Sequence, residues 1–264
     1  AYFVLPSQLN GAEYPSHDVV VERIQDYTGD NTGGPRGQLA VHPAVGQFLL
    51  DNAVCTGREV GINAVEEILE NTKAADLGFE LINGYLKMPE VSSEEEQEQN
   101  IEVIMAHLHK LRLLVMANVP ATGLTPSKNK ISKKTHRVGL VYAAAVPLSA
   151  YVNRTRSRHS ERLHRDVAQA VLVAQYHGAL RMLAKNGTPE TPSRIFLMPL
   201  GGGVFNNPWE FIAKGMALAV ELLTDRQRAR LDIRALTWSG NLEESETLRG
   251  LLAQHNKLKE PEAE

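Results

Sequence analysis

The residues that could do chemistry in this sequence are concentrated in two polar segments near the N-terminus and one glycine-rich segment near residue 200. The first polar segment carries Glu13, and the second carries Asp26 and Asp30. Carboxylates in loops can exchange protons with a bound substrate or stabilise positive charge that develops on it. Aspartates in turns also accept hydrogen bonds from their own downstream backbone N–H groups, so a purely local role is the alternative for Asp26 and Asp30.

The glycine-rich segment joins a strand to a helix. An apolar run at 194–198 lies between two prolines, and this pattern predicts a buried strand. Three glycines follow at 201–203, so the backbone can take positive φ values and approach a ligand closely. The segment therefore has the composition of a ligand-binding turn.

The helix after these glycines has start signals in its sequence. Asn207 suits the N-cap, Pro208 the first helical position and Glu210 the third position of a capping box. Free N–H groups and the helix dipole would then meet at one point, which predicts a site for a phosphate or diphosphate. The alternative is a turn whose glycines serve packing alone, because Asn206 stands where a dinucleotide-binding G-x-G-x-x-G pattern needs its third glycine.

Strands and helices alternate along the chain, which favours an α/β fold with one central sheet between layers of helices. The predicted strands are 2–5, 111–119, 138–146, 194–198 and 231–238. The predicted helices are 43–53, 63–77, 94–109, 166–183 and 208–223. The segment 26–37 contains four glycines and a proline, and we expect no regular element there.

No linker or internal repeat divides the sequence, so we expect a single domain over 1–264. Two regions do not follow the alternation of strands and helices. Residues 123–137 form a polar, lysine-rich insertion that could steer an anionic ligand, although a mobile hairpin tip is the interpretation we favour. Residues 241–264 form a polar tail with a final helix.

Composition excludes several classes of function. A net charge of −3 and a pI near 6.3 give no reason to expect binding to nucleic acid or to an anionic membrane. Cys55 is the only cysteine, which rules out an internal disulfide and a cysteine-based zinc site. His159 and His164 are five residues apart and do not form H-E-x-x-H, so we expect no metal. We also expect no cofactor, a monomer, and a location in the cytoplasm or, after delivery, in the cytosol of a host.

Together the three segments resemble an atypical branch of the macrodomain superfamily, an ADP-ribose-binding α/β fold. Residues 7–13 resemble the branch pattern S-Q-(F/L)-N-x-x-E. Tyr27 and residues 30–35 resemble its Y-x-x-D-x-T-x-G-P loop, with glycine where glutamine is common. Residues 141–147 resemble its central strand, and 200–207 resemble its L-G-G-G-x-F-x-N phosphate loop. The resemblance covers nearly the whole chain, and its landmarks occur in the expected order.

This resemblance implies a three-layer macrodomain-like fold with a central mixed sheet, and ADP-ribose lying across the carboxyl ends of the strands. The glycine loop would hold the diphosphate, the first segment would bond the distal ribose, and the second would shape the opposite wall. The residues carried over as ligand-binding are Gln8, Asn10, Thr32, Gly34, Pro35, Gly201, Gly202, Gly203, Val204, Phe205 and Asn206.

The resemblance also implies an activity, because members of this branch include hydrolases that release ADP-ribose from modified arginine. Breaking an N-glycosidic bond builds oxocarbenium-like charge, which a carboxylate stabilises while an acid protonates the leaving guanidine. Asp30 is the first candidate for a catalytic residue, since it lies among glycines and matches the branch motif; Glu13 is the second and Asp26 the third.

The usual macrodomain N-A-A-N and the consecutive-glutamate signature of poly(ADP-ribose) glycohydrolases are absent. We therefore expect an ADP-ribosyl hydrolase whose substrate is an ADP-ribosylated protein, modified on arginine. The alternatives are a non-catalytic module that binds ADP-ribose or another nucleotide signal, and a nucleotide-sugar or cyclic-nucleotide enzyme with the same phosphate loop.

Overall fold

The computed structural model describes residues 1–70, 74–121, 136–148, 157–236 and 242–254. Its strands are β1 (Tyr2–Pro6), β2 (Glu80–Ile82), β3 (Tyr85–Lys87), β4 (Leu114–Ala121), β5 (His136–Ala143), β6 (Ser193–Leu197) and β7 (Leu231–Ala235). Its α-helices are α1 (Gly33–Leu39), α2 (Pro43–Asn52), α3 (Glu66–Glu70), α4 (Glu94–His107), α5 (Arg158–Ala184), α6 (Trp209–Glu221), α7 (Asp225–Arg228) and α8 (Leu242–Gln254). Two short 3-10 helices span Ile24–Gly29 and Leu108–Lys110.

The main sheet has five strands in the order β4-β5-β1-β6-β7. β1 lies at its centre, where Phe3 is paired with Leu140 of β5 on one side and Phe196 of β6 on the other. β5, β1, β6 and β7 run parallel, whereas β4 pairs with β5 in the antiparallel sense. The sheet is therefore mixed, as predicted, and the loops after its parallel strands leave from one edge.

Helices cover both faces of this sheet. On one face Val4, Val141 and Ile195 are completely buried in a core formed with α4, α5, α6 and α8. On the other face Leu5 and Tyr142 pack in a second core with residues that include Leu49 of α2. This arrangement confirms the predicted α/β fold with a central mixed sheet flanked by helices.

The longest helix, α5, begins eight residues before the predicted start at 166. Its N-cap is Ser157, whose hydroxyl accepts a hydrogen bond from the Ser160 backbone N–H at 3.0 Å. Leu172, Tyr176 and Leu180 recur every four residues and are completely buried in the core beside the sheet. Burial of this stripe makes α5 the main support under the central strands.

The segment 26–37 is not irregular, and that prediction was wrong. It contains the end of the 3-10 helix Ile24–Gly29 and most of α1. Pro35 lies in the first turn of α1, where backbone N–H groups have no intrahelical acceptor, so a proline is tolerated there. Two of the glycines, Gly34 and Gly37, lie where α1 packs against Glu13 and Leu5.

The predicted helix over 63–77 was also wrong in extent. Only Glu66–Glu70 is helical among the described residues of that stretch, and a turn over 74–78 follows. Residues 123–135 of the predicted polar insertion lie outside the described residues, and the last two predicted insertion residues begin β5. The predicted tail contains α8, while 255–264 lie outside the described ranges.

A prediction follows from the contact between β1 and β5. A Cβ atom at Gly139 would lie 2.1 Å from two carbons of the Tyr2 ring, far inside van der Waals contact. We expect Gly139→Ala to lower the free energy of unfolding by about 1–3 kcal/mol because it overpacks this site. Urea unfolding measures the change, and a variant as stable as the wild type would contradict the packing.

Gly250→Ala is the matched control for that experiment. A Cβ at position 250 meets nothing within 4 Å, and the residue lies inside α8. Because glycine is a poor helix former, this substitution should raise the free energy of unfolding by about 0.5–1 kcal/mol.

Candidate functional site

A cavity of about 620 Å³ opens at the edge of the sheet where the parallel strands end. Three segments, 6–15, 30–35 and 198–205, contribute most of its wall. Its volume lies within the range of small-molecule binding sites. The fold thus brings the three segments singled out in the sequence to one place, although long stretches of chain separate them.

Most of the predicted site residues line this cavity. They are Gln8, Glu13, Asp30, Thr32, Gly34, Pro35, Gly201, Gly202, Gly203, Val204 and Phe205. Asn10, Asp26 and Asn206 are not part of its lining.

Asn10 is completely buried, and its side-chain amide forms hydrogen bonds with backbone groups. Its Nδ2 donates to the Val54 carbonyl at 2.8 Å, and its Oδ1 accepts from the Ala12 N–H at 3.1 Å. With both ends of the amide occupied, Asn10 holds the first segment in shape and does not face the cavity.

Asp26 is exposed on the outer face of the 3-10 helix Ile24–Gly29. The three-residue repeat of that helix turns Ile24 and Tyr27 inward instead. Tyr27 is the residue of this helix that contacts the site, because its hydroxyl accepts a hydrogen bond from the Glu13 backbone N–H at 3.0 Å. Asn206 is exposed at a positive φ of 50°.

Glu13 presents the most unusual environment in the cavity wall. The residue as a whole is partly exposed, but its Oε1 is buried and has no hydrogen-bond partner within the described part of the chain. The carboxyl group lies against the backbone of Gly34, where a Cβ would be 2.2 Å from Glu13 Cδ. Only glycine at position 34 leaves room for this carboxyl group.

The burial of Glu13 changes its proton affinity. Burial raises the pKa of the Glu13 carboxyl well above its ordinary value of 4.5, and the nearby charge of Asp30 raises this pKa further. Both effects disfavour the ionised form, the first by loss of hydration and the second by like-charge repulsion. Glu13 can therefore act as a proton donor to a group in the cavity.

Asp30 has a different environment from Glu13. Its Oδ1 accepts hydrogen bonds from the backbone N–H and the hydroxyl of Thr32, at 2.8 and 2.6 Å. The local turn role considered for this aspartate is thus present, and Asp30 also lines the cavity. The two carboxyl groups thus lie in contrasting surroundings: Oε1 of Glu13 is buried without a partner in the described part of the chain, whereas Oδ1 of Asp30 is hydrogen-bonded.

The three glycines of the loop after β6 differ in backbone conformation and in the contacts that a Cβ atom would make at each position. Gly201 has a φ of 81°, and a Cβ there would lie 2.5 Å from Asn207 Nδ2 and 2.7 Å from Ala145 Cβ. A Cβ at Gly202 would come within 3.1 Å of the Trp209 ring. A Cβ at Gly203 would meet nothing within 4 Å, so packing does not explain the third glycine.

Asn207 does not cap the helix after this loop, contrary to the prediction. Helix α6 begins at Trp209, its N-cap is Pro208, and no side chain caps it. The Asn207 side chain instead accepts from the Leu148 N–H at 2.9 Å and donates to the Val146 carbonyl at 3.1 Å. Buried backbone groups need partners, and Asn207 satisfies those of the loop after β5.

Two residues that sequence reasoning missed hold the strand exits in place. The Tyr176 hydroxyl donates to the Met198 carbonyl at 2.6 Å and accepts from the Leu200 N–H at 3.1 Å. The Gln175 side chain accepts from the Ala144 N–H at 2.7 Å. Gln175 and Tyr176, which are neighbours on α5, thus hold the ends of β5 and β6. The helical spacing of apolar residues in the sequence does not predict such contacts.

The hairpin of β2 and β3 adds an aromatic wall that was not predicted. Gln8 Nε2 donates to the Tyr85 hydroxyl at 2.8 Å and to the Tyr14 carbonyl at 2.6 Å. The Tyr85 ring lies 6.1 Å from the Phe205 ring, centroid to centroid. The dipeptide at 83–84, Asn-Gly with both φ values positive, is a strong hairpin signal that could have located Tyr85.

No group of three or more His, Cys, Asp or Glu side chains that could hold a metal ion occurs in the described ranges. Among the described helices, none is long and apolar enough to cross a membrane.

No protein-family model matches the sequence, and no curated protein matches it either. Among solved structures, the chain is similar to a poly(ADP-ribose) glycohydrolase from Deinococcus radiodurans in complex with ADP-ribose, at 16% identity and a TM-score of 0.39 over 62% of this chain and 60% of that one. It is also similar to a poly(ADP-ribose) glycohydrolase from Thermomonospora curvata, at 17% identity and a TM-score of 0.34 over 62% and 61%. The chain thus spans less than two thirds of the length of these structures.

The burial of Glu13 predicts how stability depends on pH. Between pH 4.5 and its raised folded pKa, Glu13 binds more protons in the native state than in the unfolded chain, so stability falls as pH rises through that window. Glu13→Gln cannot ionise and should escape this loss. We expect its melting temperature to exceed that of the wild type by at least about 2 °C near neutral pH.

Scanning calorimetry across the pH range measures this difference. The gap between the two proteins should close as the pH falls below 4.5, where the carboxyl group is protonated in both states. A gap that stays constant with pH would contradict a raised pKa at Glu13.

Proposed function

We propose that this chain is an ADP-ribosyl hydrolase that releases ADP-ribose from modified arginine side chains of proteins. The observation that carries the proposal is the buried carboxyl group of Glu13, held against Gly34 in the wall of the cavity and beside Asp30. The preference for ADP-ribose and for arginine comes from the resemblance of the three loops to the atypical macrodomain branch.

The lining of the cavity supports a nucleotide ligand. Glycines 201–203 line the cavity, with Gly203 exposed and the other two half-buried, so a diphosphate could approach their backbone. The rings of Tyr85, Phe205 and Trp209 offer apolar surfaces for ribose and base. An extended ligand across this cavity would have its phosphates at the glycine loop, with its distal ribose next to Phe205.

The two carboxyl groups supply the two proton movements of glycosidic hydrolysis. Glu13 donates its proton to the guanidine nitrogen as the bond from that nitrogen to the anomeric carbon breaks. The Asp30 carboxylate stabilises the positive charge on the ribose and accepts a proton from the attacking water, whose oxygen bonds to the anomeric carbon. The products are ADP-ribose and the free arginine side chain, with Glu13 ionised and Asp30 protonated.

Ligand binding is the first test. Isothermal calorimetry should show that ADP-ribose binds more tightly than AMP or NAD. Gly203→Ala should keep the stability of the wild type, because its Cβ meets no protein atom within 4 Å, but should weaken ADP-ribose binding by about tenfold as the methyl group enters the diphosphate site. Absence of ADP-ribose binding to the wild type would overturn the proposal.

Turnover is the second test. Glu13→Gln and Asp30→Asn should each lower the release of ADP-ribose from an ADP-ribosyl-arginine peptide by at least about 100-fold, with ADP-ribose binding retained. Asp26→Asn is the matched control, since Asp26 lies outside the cavity lining, and it should keep full activity. Glutamate- and serine-linked peptides run in parallel define the linkage.

The outcomes of the turnover assay separate the alternatives. Tight ADP-ribose binding by a wild type that hydrolyses none of the three linkages would identify a non-catalytic binding module. Full activity of Asp30→Asn would remove Asp30 from the reaction.

A further inference from the structure

The main sheet ends at β7, and within the described part of the chain β6 is the only strand that pairs with it. The next described element along the chain, α8, packs against α6. A strand at the edge of a sheet presents a row of backbone N–H and C=O groups that can pair with another strand. The outer side of β7 can therefore accept a further strand.

The pairing of β7 with β6 determines which residues face this outer side. The Ser193 N–H donates to the Arg230 carbonyl at 2.9 Å, just before β7. The Leu236 N–H, just after β7, donates to the Leu197 carbonyl at 2.8 Å. Backbone groups of successive residues in a strand point alternately to its two sides, so the even-numbered residues of β7 face β6. The residues whose backbone groups face outward are Leu231, Ile233 and Ala235.

The side chains of β7 alternate between the two faces of the sheet. Leu231 and Ile233 pack on the core beside α5, α6 and α8, so Asp232 and Arg234 lie on the opposite face. There the Asp232 carboxylate accepts from Arg194 Nε at 2.6 Å and from Arg234 Nε at 3.1 Å. The Arg234 side chain is 45% exposed. The outer strand thus carries an acidic and a basic side chain two positions apart on one face.

The sequence of β7 is complementary to itself when two copies pair in the antiparallel sense. With Ile233 of one copy opposite Ile233 of the other, Asp232 of each copy lies opposite Arg234 of the other. Ile233 faces outward, so its two copies can exchange both backbone hydrogen bonds, as a hydrogen-bonded antiparallel pair does. Leu231 then lies opposite Ala235 of the second copy, and these outward-facing residues can pair in the same way.

We propose that β7 is a dimerisation edge, at which two copies of this chain pair antiparallel about Ile233 and form one continuous sheet. Opposite charges directly across an antiparallel pair are favourable, and like charges are unfavourable. Sliding one copy by two residues would place Asp232 opposite Asp232 or Arg234 opposite Arg234, so the charges select the register about Ile233. The monomer expected from the sequence is revised, because this edge exists only in the folded sheet.

The dimer is compatible with the cavity described above. That cavity opens where the parallel strands end, and Leu236, which follows β7, is part of its lining. Two antiparallel copies of β7 run in opposite directions, so the two cavities lie at opposite edges of the continuous sheet. The inference does not depend on the proposed function.

The association of the wild type is the first test. A contact limited to one strand of five residues is small by the standard of stable interfaces, so we expect a weak dimer that dissociates on dilution. Sedimentation velocity from about 5 µM to about 500 µM should show the change from monomer to dimer. A wild type that remains a monomer at about 500 µM would overturn the inference.

Charge reversal tests the edge and its register. Arg234→Asp places Asp232 opposite an aspartate in the dimer, and Asp232→Arg places Arg234 opposite an arginine. Each variant alone should associate at least about tenfold more weakly than the wild type, because both opposite-charge pairs become like-charge pairs. An equal mixture of the two variants restores both opposite-charge pairs and should form a heterodimer.

The outcomes of the charge experiment decide the proposal. If the two variants dimerise as the wild type does, the interface lies elsewhere. If both are monomeric and their mixture is monomeric too, the pairing about Ile233 is wrong. Arg158→Asp is the matched control, since it makes the same charge change at an exposed position at the start of α5 and should dimerise normally. Melting temperatures establish that each variant folds.

Hydrogen exchange on the wild type tests the strand pairing without any substitution. Read residue by residue by mass spectrometry, the Ile233 N–H should exchange at least about threefold more slowly in the dimer than in the monomer, because it gains a hydrogen-bond acceptor. The Asp232 and Arg234 N–H groups face β6 and are the internal reference. No slowing at Ile233 in a sample that sediments as a dimer would overturn the inference.

Discussion

The packing of one carboxyl group against a glycine backbone governs the arrangement of the site. Glu13 reaches its position because Gly34 has no side chain and because the Tyr27 hydroxyl holds the Glu13 backbone N–H. Burial without a hydrogen-bond partner disfavours a charged carboxylate, so the pKa of the Glu13 carboxyl is raised. Gly34 in the first turn of α1 and Tyr27 in the 3-10 helix before it thus both position Glu13.

The rest of the fold keeps the loops around Glu13 in fixed positions. Gln175 and Tyr176 of α5 bond the exits of β5 and β6, and Asn207 ties the loop after β5 to the glycine loop. Because α5 is buried along most of its length, these contacts come from a rigid element. A cavity supported in this way is formed before any ligand arrives, which reduces the entropy lost on binding.

Polar groups near the cavity fall into two sets. The amides of Gln8, Asn10 and Asn207 bond the backbone of the loops that carry them or their neighbours, and they stabilise shape. Glu13 and Tyr142 are buried with polar atoms that bond no described residue. An unpaired buried polar group lowers stability, so hydrogen bonding within the described part of the protein does not explain the burial of these two groups.

The sequence alone determined the class of fold, most of its longer elements and the three segments that meet at the cavity, because strand alternation, helical spacing and glycine turns are local properties. It could not distinguish the environment of Glu13 from that of Asp30, since the difference depends on a contact with Gly34 and on burial that only the folded chain creates. The sequence pattern predicted that Asn207 caps a helix. In the folded chain its side-chain amide instead hydrogen-bonds backbone groups 59 and 61 residues away. Tertiary structure decided these points because the free energy of a buried polar group depends on partners that are distant in sequence.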